Sequence, residues 1–132
     1  MNTIRITSAL AALALVGGCA ADRPAIENAV HLQRAPDGTP DLIFSAQRRD
    51  GGPWRKEGLM VCFGPDGEVE SVATYHDDEM DGPAWTYDIH GRVASSGSYA
   101  HNRQIGPWRI YKDGTSIVID GQTHEPIPQP VP

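Results

Sequence analysis

Residues 99–114, YAHNRQIGPWRIYKDG, repeat with a spacing of 24 the arrangement of residues 75–90, YHDDEMDGPAWTYDIH. Each copy has an aromatic residue, a polar connection, a Gly-Pro pair, a short run that ends in Tyr, and a turn sequence. A regular spacing of this length indicates one supersecondary unit stacked on its neighbours. Six columns keep the spacing of 24: Gly58, Gly82 and Gly106; Phe63, Tyr87 and Tyr111; Val69, Val93 and Ile117; Gly67 and Gly91; Tyr75 and Tyr99; Pro83 and Pro107.

The turn sequences identify each unit as a β-hairpin. They are Gly64-Pro65-Asp66-Gly67, Asp88-Ile89-His90-Gly91 and Lys112-Asp113-Gly114. Pro presets φ in such turns, Asp caps locally, and Gly takes the left-handed position. The sequence therefore predicts an all-β fold, in which tandem hairpins form an open, elongated antiparallel sheet after an N-terminal signal helix.

The even spacing also predicts which residues share a face. A type I turn with a Gly bulge would place Phe63 opposite Val69 and Val61 opposite Ser71. Because 24 is even, later copies would repeat the same face, which would make one side of the sheet aromatic. This predicted face contains Val61, Phe63, Val69, Ala73, Tyr75, Trp85, Tyr87, Val93, Tyr99, Tyr111, Ile117 and Ile119.

Upstream of these units lies a degenerate copy that would cap the stack. Its turn is Ala35-Pro36-Asp37-Gly38, and residues 41–45 are its predicted strand. We therefore predict a signal peptide at residues 1–18, a lipidated tether at 19–29, the repeat domain at 30–121, and a Pro-rich tail at 122–132. Alternate prolines predict that the stretch from Glu125 to Pro132 is extended polyproline.

The N-terminus has the layout of a secretory signal. Arg5 precedes an uncharged run over residues 6–16, which is shorter than the about 20 residues of a spanning helix. The run ends in Val16-Gly17-Gly18-Cys19, which resembles the lipobox of bacterial lipoproteins. The resemblance implies cleavage before Cys19, its acylation, and effectively permanent membrane attachment. The alternatives are an ordinary cleaved signal with a chance Cys and an uncleaved anchor.

The residue after Cys19 predicts which membrane holds the protein, and the net charge limits the kinds of partner. In lipoproteins of double-membraned bacteria, Asp at that position retains the protein in the inner membrane, whereas this chain has Ala20. The resemblance therefore implies an outer-membrane location, facing the periplasm. The formal net charge of −6 makes nucleic acid an unfavourable partner. With Cys19 acylated, Cys62 has no intramolecular partner, and we predict a half-buried thiol.

The stretch from Tyr99 to Gly114 resembles the variant of the MORN repeat, in which Tyr, a short turn, Gly-x-Trp-x-x-Tyr and a Gly hairpin follow each other. Gly106, Trp108 and Tyr111 match it fully; in the preceding copy Trp85 is shifted by one, and in the first Met60 replaces Trp. The resemblance covers about residues 30–121. It implies a ladder of hairpins used for protein or lipid association, and some bacterial members are described as antitoxins.

Two positions depart from this motif. The Gly that usually follows the first Tyr by three residues is Asn102 in one copy and Asp78 in another. Both residue types tolerate a left-handed turn, so we expect the turn to be kept.

Sites for chemistry are weakly represented in the sequence. The acidic run from His76 to Asp81 lacks the ligand spacing of a calcium loop. His76, His90 and His101 have no metal-ligand spacing. We therefore predict that these residues are solvated at the surface and that the protein binds no metal or cofactor. Residues 95–98, SSGS, contain no nucleophile elbow. A single-layer sheet leaves aromatic rings exposed for binding. The candidate binding residues are Trp54, Trp85, Tyr87, Trp108 and Tyr111.

These observations predict a non-enzymatic lipoprotein. Anchored through Cys19, its repeat domain would bind or scaffold another envelope protein, or lipid, and no small-molecule substrate is evident. A periplasmic immunity protein of antitoxin type and a protein that binds or hydrolyses cell-wall glycans are the alternatives. An open sheet could also pair edge to edge, which would produce dimers.

Overall fold

The computed structural model describes residues 4–7 and 24–129, with side chains from residue 24 onward. Within these residues all regular structure is β, and consecutive strands pair antiparallel in chain order in one open sheet, as predicted. The strands are β1 (Ile4–Thr7), β2 (Ile26–Arg34), β3 (Pro40–Arg49), β4 (Arg55–Phe63), β5 (Val69–His76), β6 (Glu79–Tyr87), β7 (Val93–Ala100), β8 (Arg103–Lys112) and β9 (Thr115–Asp120).

The N-terminal boundaries differ from the prediction. Most of the predicted signal helix, together with Cys19, lies outside the described residues, but Ile4–Thr7 form a strand that pairs with Ala29–Leu32. The strand β2 begins at Ile26, so four residues assigned to the tether belong to the sheet. The degenerate copy is confirmed as the hairpin of β2 and β3, with its turn between Arg34 and Pro40.

The predicted register is half correct. Phe63 lies opposite Val69 as expected, but Val61 lies opposite Val72 because the register shifts between Cys62 and Phe63. A similar shift occurs between Thr86 and Tyr87 in the next hairpin. A bulge places two residues opposite one, so every side chain beyond it changes face. The prediction of a single aromatic face was therefore wrong.

Successive register pairs instead define two rows that cross the sheet on opposite faces. The row that we call the packed row contains His31, Phe44, Met60, Ala73, Ala84, Gly97, Trp108 and Ile119. The row that we call the open row contains Leu32, Ile43, Val61, Val72, Trp85, Ser96, Arg109 and Val118. We name the two faces of the sheet the packed face and the open face accordingly.

Burial distinguishes the two faces. Among the described side chains, those buried on the packed face are Ala29, His31, Ala46, Ala84 and Trp108, whereas the open face contributes Val118. Small residues on the packed face leave room for rings from neighbouring strands. The clearest case is Gly97, where an added Cβ would lie 2.2 Å from the ring of Trp108.

The connections between hairpins are tight turns with a recurring polar clasp. Asp78 and Asn102 have φ values of 70° and 64°, which confirms the expected left-handed turns. The Asp78 N–H donates to the carbonyl of Lys56 at 3.1 Å, and the Lys56 N–H donates back to Asp78 Oδ1 at 2.7 Å. Asn102 makes the same pair of bonds with Met80, at 3.0 and 2.8 Å. An Asp or Asn at this position, unlike Gly, has a side chain that accepts a hydrogen bond from the backbone beside the preceding connection. The side chain therefore links two neighbouring connections between hairpins.

The described part of the tail lies along β9. Pro126 bridges to Ile119, and the Ile127 N–H donates to the carbonyl of Val118 at 2.8 Å. The segment from Glu125 to Ile127 therefore adds backbone bonds at the edge of the sheet beyond β9.

Candidate functional site

The aromatic residues selected from the sequence lie in different environments. Trp108 is 4% exposed, so the expectation that it is available for binding was wrong. Trp54, Trp85 and Tyr87 are half-buried. Tyr111 is exposed at 42%. The structure does not bring these five rings together in one site.

The burial of Trp108 has a clear structural cause. Its ring packs over Gly97 and Gly121 and meets Tyr99 edge-on, with the centroids 5.3 Å apart. Its Nε1–H donates to the carbonyl of Ser98 at 3.2 Å, so the polar atom of the ring is satisfied. Trp108 therefore holds β7, β8 and the segment after β9 together, and it acts in stability.

Trp54 belongs to a second cluster on the packed face, near the start of the sheet. His31 stacks on Phe44 with ring centroids 4.9 Å apart, and Trp54 meets His31 edge-on at 5.6 Å. The Arg48 guanidinium lies 4.9 Å from the Trp54 ring centroid, a cation–π distance. These contacts place the Trp54 ring in packing with Arg48 and His31.

The open face, in contrast, presents apolar side chains that no described element covers. Five consecutive members of the open row are apolar, from β2 to β6: Leu32, Ile43, Val61, Val72 and Trp85, all half-buried. Leu59 and Val30 extend this patch on the same face and are 52% and 44% exposed. We call these seven residues the apolar patch. A contiguous apolar surface on one face of a sheet is typical of an interaction site.

A shallow depression adjoins Trp85 at the far end of the apolar patch. It has a volume of about 320 Å³, and Ser96, Ser98, Pro107 and Arg109 are among its lining residues. The one-residue shift of Trp85 relative to Trp108 is what turns this ring to the open face. A ring half-buried beside polar groups is suited to an interface, since Trp combines apolar area with one hydrogen-bond donor.

Polar and charged residues border the apolar patch at the strand ends nearest Ala25. A cleft of about 430 Å³ there is lined by Gln47, Arg49, Arg55, Glu57 and His76, among others. Arg55 pairs with Asp77 at 2.9 Å. An apolar centre with a charged rim is the usual anatomy of a protein–protein interface.

Two His–Glu pairs stand along this rim, a feature that the sequence reading missed. His76 Nδ1 donates to Glu57 Oε1 at 2.8 Å, and His101 Nδ1 donates to Glu79 Oε2 at 2.7 Å. The hydrogen bond to Glu57 raises the pKa of His76, and the bond to Glu79 raises the pKa of His101. The Asp77 N–H and then His76 lower the pKa of Glu57. In each pair the His follows the Glu by about one hairpin, 19 residues in the first pair and 22 in the second.

The other residues considered for chemistry lie where the sequence placed them. Cys62 is a half-buried free thiol, as predicted. His76, His90 and His101 are exposed. Within residues 24–129, no group of three His, Cys, Asp or Glu side chains is arranged to hold a metal ion. The acidic run is the two-residue turn between β5 and β6 and its flanking strand ends.

In the described part of the chain, no helix has the length and apolar character needed to cross a bilayer. No protein-family model, curated protein or solved structure matches the chain.

Proposed function

We propose that this chain is a membrane-anchored lipoprotein whose repeat sheet binds another protein of the cell envelope through its open face. The observation that carries the proposal is the apolar patch, which crosses five consecutive strands on one face and has no cover within residues 24–129. The partner must offer a complementary apolar surface. The protein acts by binding rather than by catalysis.

The distribution of burial supports this assignment. On the packed face, Trp108 lies over Gly97 and Gly121 and is 4% exposed. Burial of apolar area contributes roughly 25 cal/mol per Å², so a patch left half-exposed gives up stability that a partner can supply. The charged rim around Arg55 and Glu57 would set orientation and association rate more than affinity.

The anchor supports an envelope setting. Cys19 follows small residues as a lipobox requires, and β2 begins only seven residues later at Ile26. Seven extended residues reach at most about 25 Å. The start of β2 is therefore kept close to the membrane surface, and the partner belongs there too. The location that we propose is the outer membrane, facing the periplasm, because Ala20 follows the Cys.

The resemblance of residues 30–121 to the MORN-variant repeat supports the same class of function. Hairpin ladders of that class serve protein or lipid association. The observed ladder of hairpins is the arrangement such repeats need, and in this chain the apolar patch is the surface best suited to association.

The experiment that tests the anchor compares the intact wild-type protein with Cys19→Ala in a bacterial host. Intact mass reports cleavage before residue 19 and acylation, and fractionation reports the location. We expect acyl mass and membrane sedimentation for the wild type and neither for the variant. A soluble, unacylated wild type would contradict the proposal.

A further inference from the structure

The two edges of the sheet, at β2 and at β9, differ in whether their backbone groups are free to pair with another strand. We propose that in the mature protein the outer edge of β2 pairs antiparallel with β2 of a second copy, so that one sheet runs through two molecules. The inference rests on removal of residues 1–18, which is part of the function proposed above, because β1 lies on that edge in the full chain.

The edge at β9 is blocked. Asp120 N–H donates to the carbonyl of Glu125, and Ile127 N–H donates to the carbonyl of Val118, both at 2.8 Å. These two bonds flank Pro126, so the nitrogen of Pro126 is directed away from β9. Pro128 has the same parity in the chain. A proline nitrogen carries no N–H, and therefore the outer side of the tail is a poor template for another strand.

The edge at β2 carries free backbone groups once residues 1–18 are gone. The hydrogen bonds of Ala25 go to Asp50, and those of Ala35 go to Thr39 and Gly38, so these two residues face β3 or its turn. Backbone direction alternates along a strand. The N–H and C=O groups of the even-numbered residues therefore point outward: Ile26, Asn28, Val30 and Leu32.

The sequence of β2 gives this edge little protection, because its charged residues, Glu27 and Arg34, lie near the two ends of the strand. The strand has nine residues and contains neither Pro nor Lys, the residues with which edge strands usually discourage pairing. Ile26 and Val30 are 51% and 44% exposed on the open face. The pairing of β1 with Ala29–Leu32 shows that the edge accepts an antiparallel strand.

A second copy is the occupant that fits best. One open edge and one blocked edge allow pairing to close at two molecules, whereas two open edges would allow indefinite growth. Antiparallel pairing centred on Val30 places Glu27 opposite Gln33 and Ile26 opposite Arg34 of the other copy, so no like charges lie directly opposite each other. Full overlap of the nine residues places Val30 opposite Val30 of the second copy, and the two apolar patches meet.

The anchors restrict how such a pair sits at the membrane. The two β2 strands start at opposite ends of the paired region, about 30 Å apart at 3.3 Å per residue. Each start is held within about 25 Å of the membrane by its tether. The paired strands therefore cannot stand upright on the membrane.

The test is disulfide formation by Val30→Cys in the processed protein in its own membrane. Opposed residues of an antiparallel pair have a Cα separation near 5.5 Å, which suits a disulfide. We expect oxidation to produce covalent dimers of this variant. The matched control is Leu59→Cys, which is similarly exposed on the same face but lies on β4, and it should give none; the wild type controls for Cys62.

A second change removes the edge without touching the core of the sheet. Asn28→Pro, introduced beside Val30→Cys, deletes one outward N–H and leaves the backbone bonds to β3 in place, although it also removes the exposed side-chain bond from Gln47 Nε2 to Asn28 Oδ1. We expect the covalent dimer to be lost, with the mass and membrane location unchanged.

The outcomes separate this inference from the proposed function. A chain that is cleaved and acylated by mass but gives no Val30→Cys dimer overturns the pairing alone. Dimers formed equally by Leu59→Cys, or unaffected by Asn28→Pro, also overturn it, since random collision would explain them. A chain that retains residues 1–18 overturns both, because β1 then still covers the edge.

Discussion

The two faces of the sheet are built from the same strands but serve different purposes. Trp85 and Trp108 stand 23 residues apart in a repeat of 24, so alternation puts one ring on the open face and the other on the packed face. Trp108 is buried over glycine, whereas Trp85 stays half-exposed in the apolar patch. A shift of one residue thus separates a ring that stabilises the fold from one that is available to a partner.

The largest expected effect comes from truncating the two rings in turn. Trp108→Ala removes a buried ring and leaves a cavity beside Gly97, so we expect a loss of about 3–5 kcal/mol in the free energy of unfolding. Trp85→Ala removes a half-buried ring, and we expect a loss of about 1 kcal/mol. Urea unfolding measures both. Equal losses would contradict the functional division between the faces.

A smaller effect is expected from substitution by Ala at neighbouring positions on the two faces of β7. An alanine Cβ at position 97 would overlap the ring of Trp108, and overpacking of this kind costs about 1–3 kcal/mol. Ser96→Ala, on the open face of the same strand, should stay within about 0.5 kcal/mol of the wild type. Equal stability of Gly97→Ala and Ser96→Ala would contradict the expected difference between the packed face and the open face.

The repeat predicted the strands, but not the faces. Regular spacing of Gly58, Gly82 and Gly106, with turn residues between them, determines where hairpins begin and end. The face of each side chain depends further on bulges such as the one between Cys62 and Phe63. A bulge is set by hydrogen bonding next to the turn and leaves no mark in an alternation of apolar and polar residues. The single aromatic face failed for that reason.

The candidate site was predictable in kind but not in place. An open single-layer sheet implies that some apolar surface stays uncovered, and Trp85, one of the candidates, is half-buried on the open face. The burial of Trp108 could not be foreseen, because it depends on Gly97 and Gly121 from neighbouring segments. The His–Glu pairs also escaped notice, since each joins residues about twenty positions apart.

The rim of the open face gives the smallest effect, a pH dependence. The pKa of His76 is raised above its ordinary 6.5, so its pairing with Glu57 stabilises the fold fully below that value and is lost as pH rises through the folded-state pKa. The lowered pKa of Glu57 sets a limit at low pH, because the stabilisation from this pair is also lost as pH falls through the folded-state pKa of Glu57. Salt will screen this exposed pair.

NMR titration of the imidazole signals measures this effect directly. Glu57→Gln removes the acceptor charge, and we expect the pKa of His76 to fall towards its ordinary value. The His101–Glu79 pair is retained in this variant and is the internal control, so the pKa of His101 should move much less. An unchanged pKa of His76 would show that the pair does not form in solution.

The central claim, that the open face binds a protein partner, is tested most directly by photo-crosslinking in the living cell. A photoreactive residue is placed at Leu59 on the open face or at Ile117 on the packed face, which are 52% and 56% exposed. The account predicts one discrete adduct with a single envelope protein at Leu59, lost when Val72→Asp is added, and no such adduct at Ile117. An adduct confined to Ile117, or equal labelling from both positions, would contradict it.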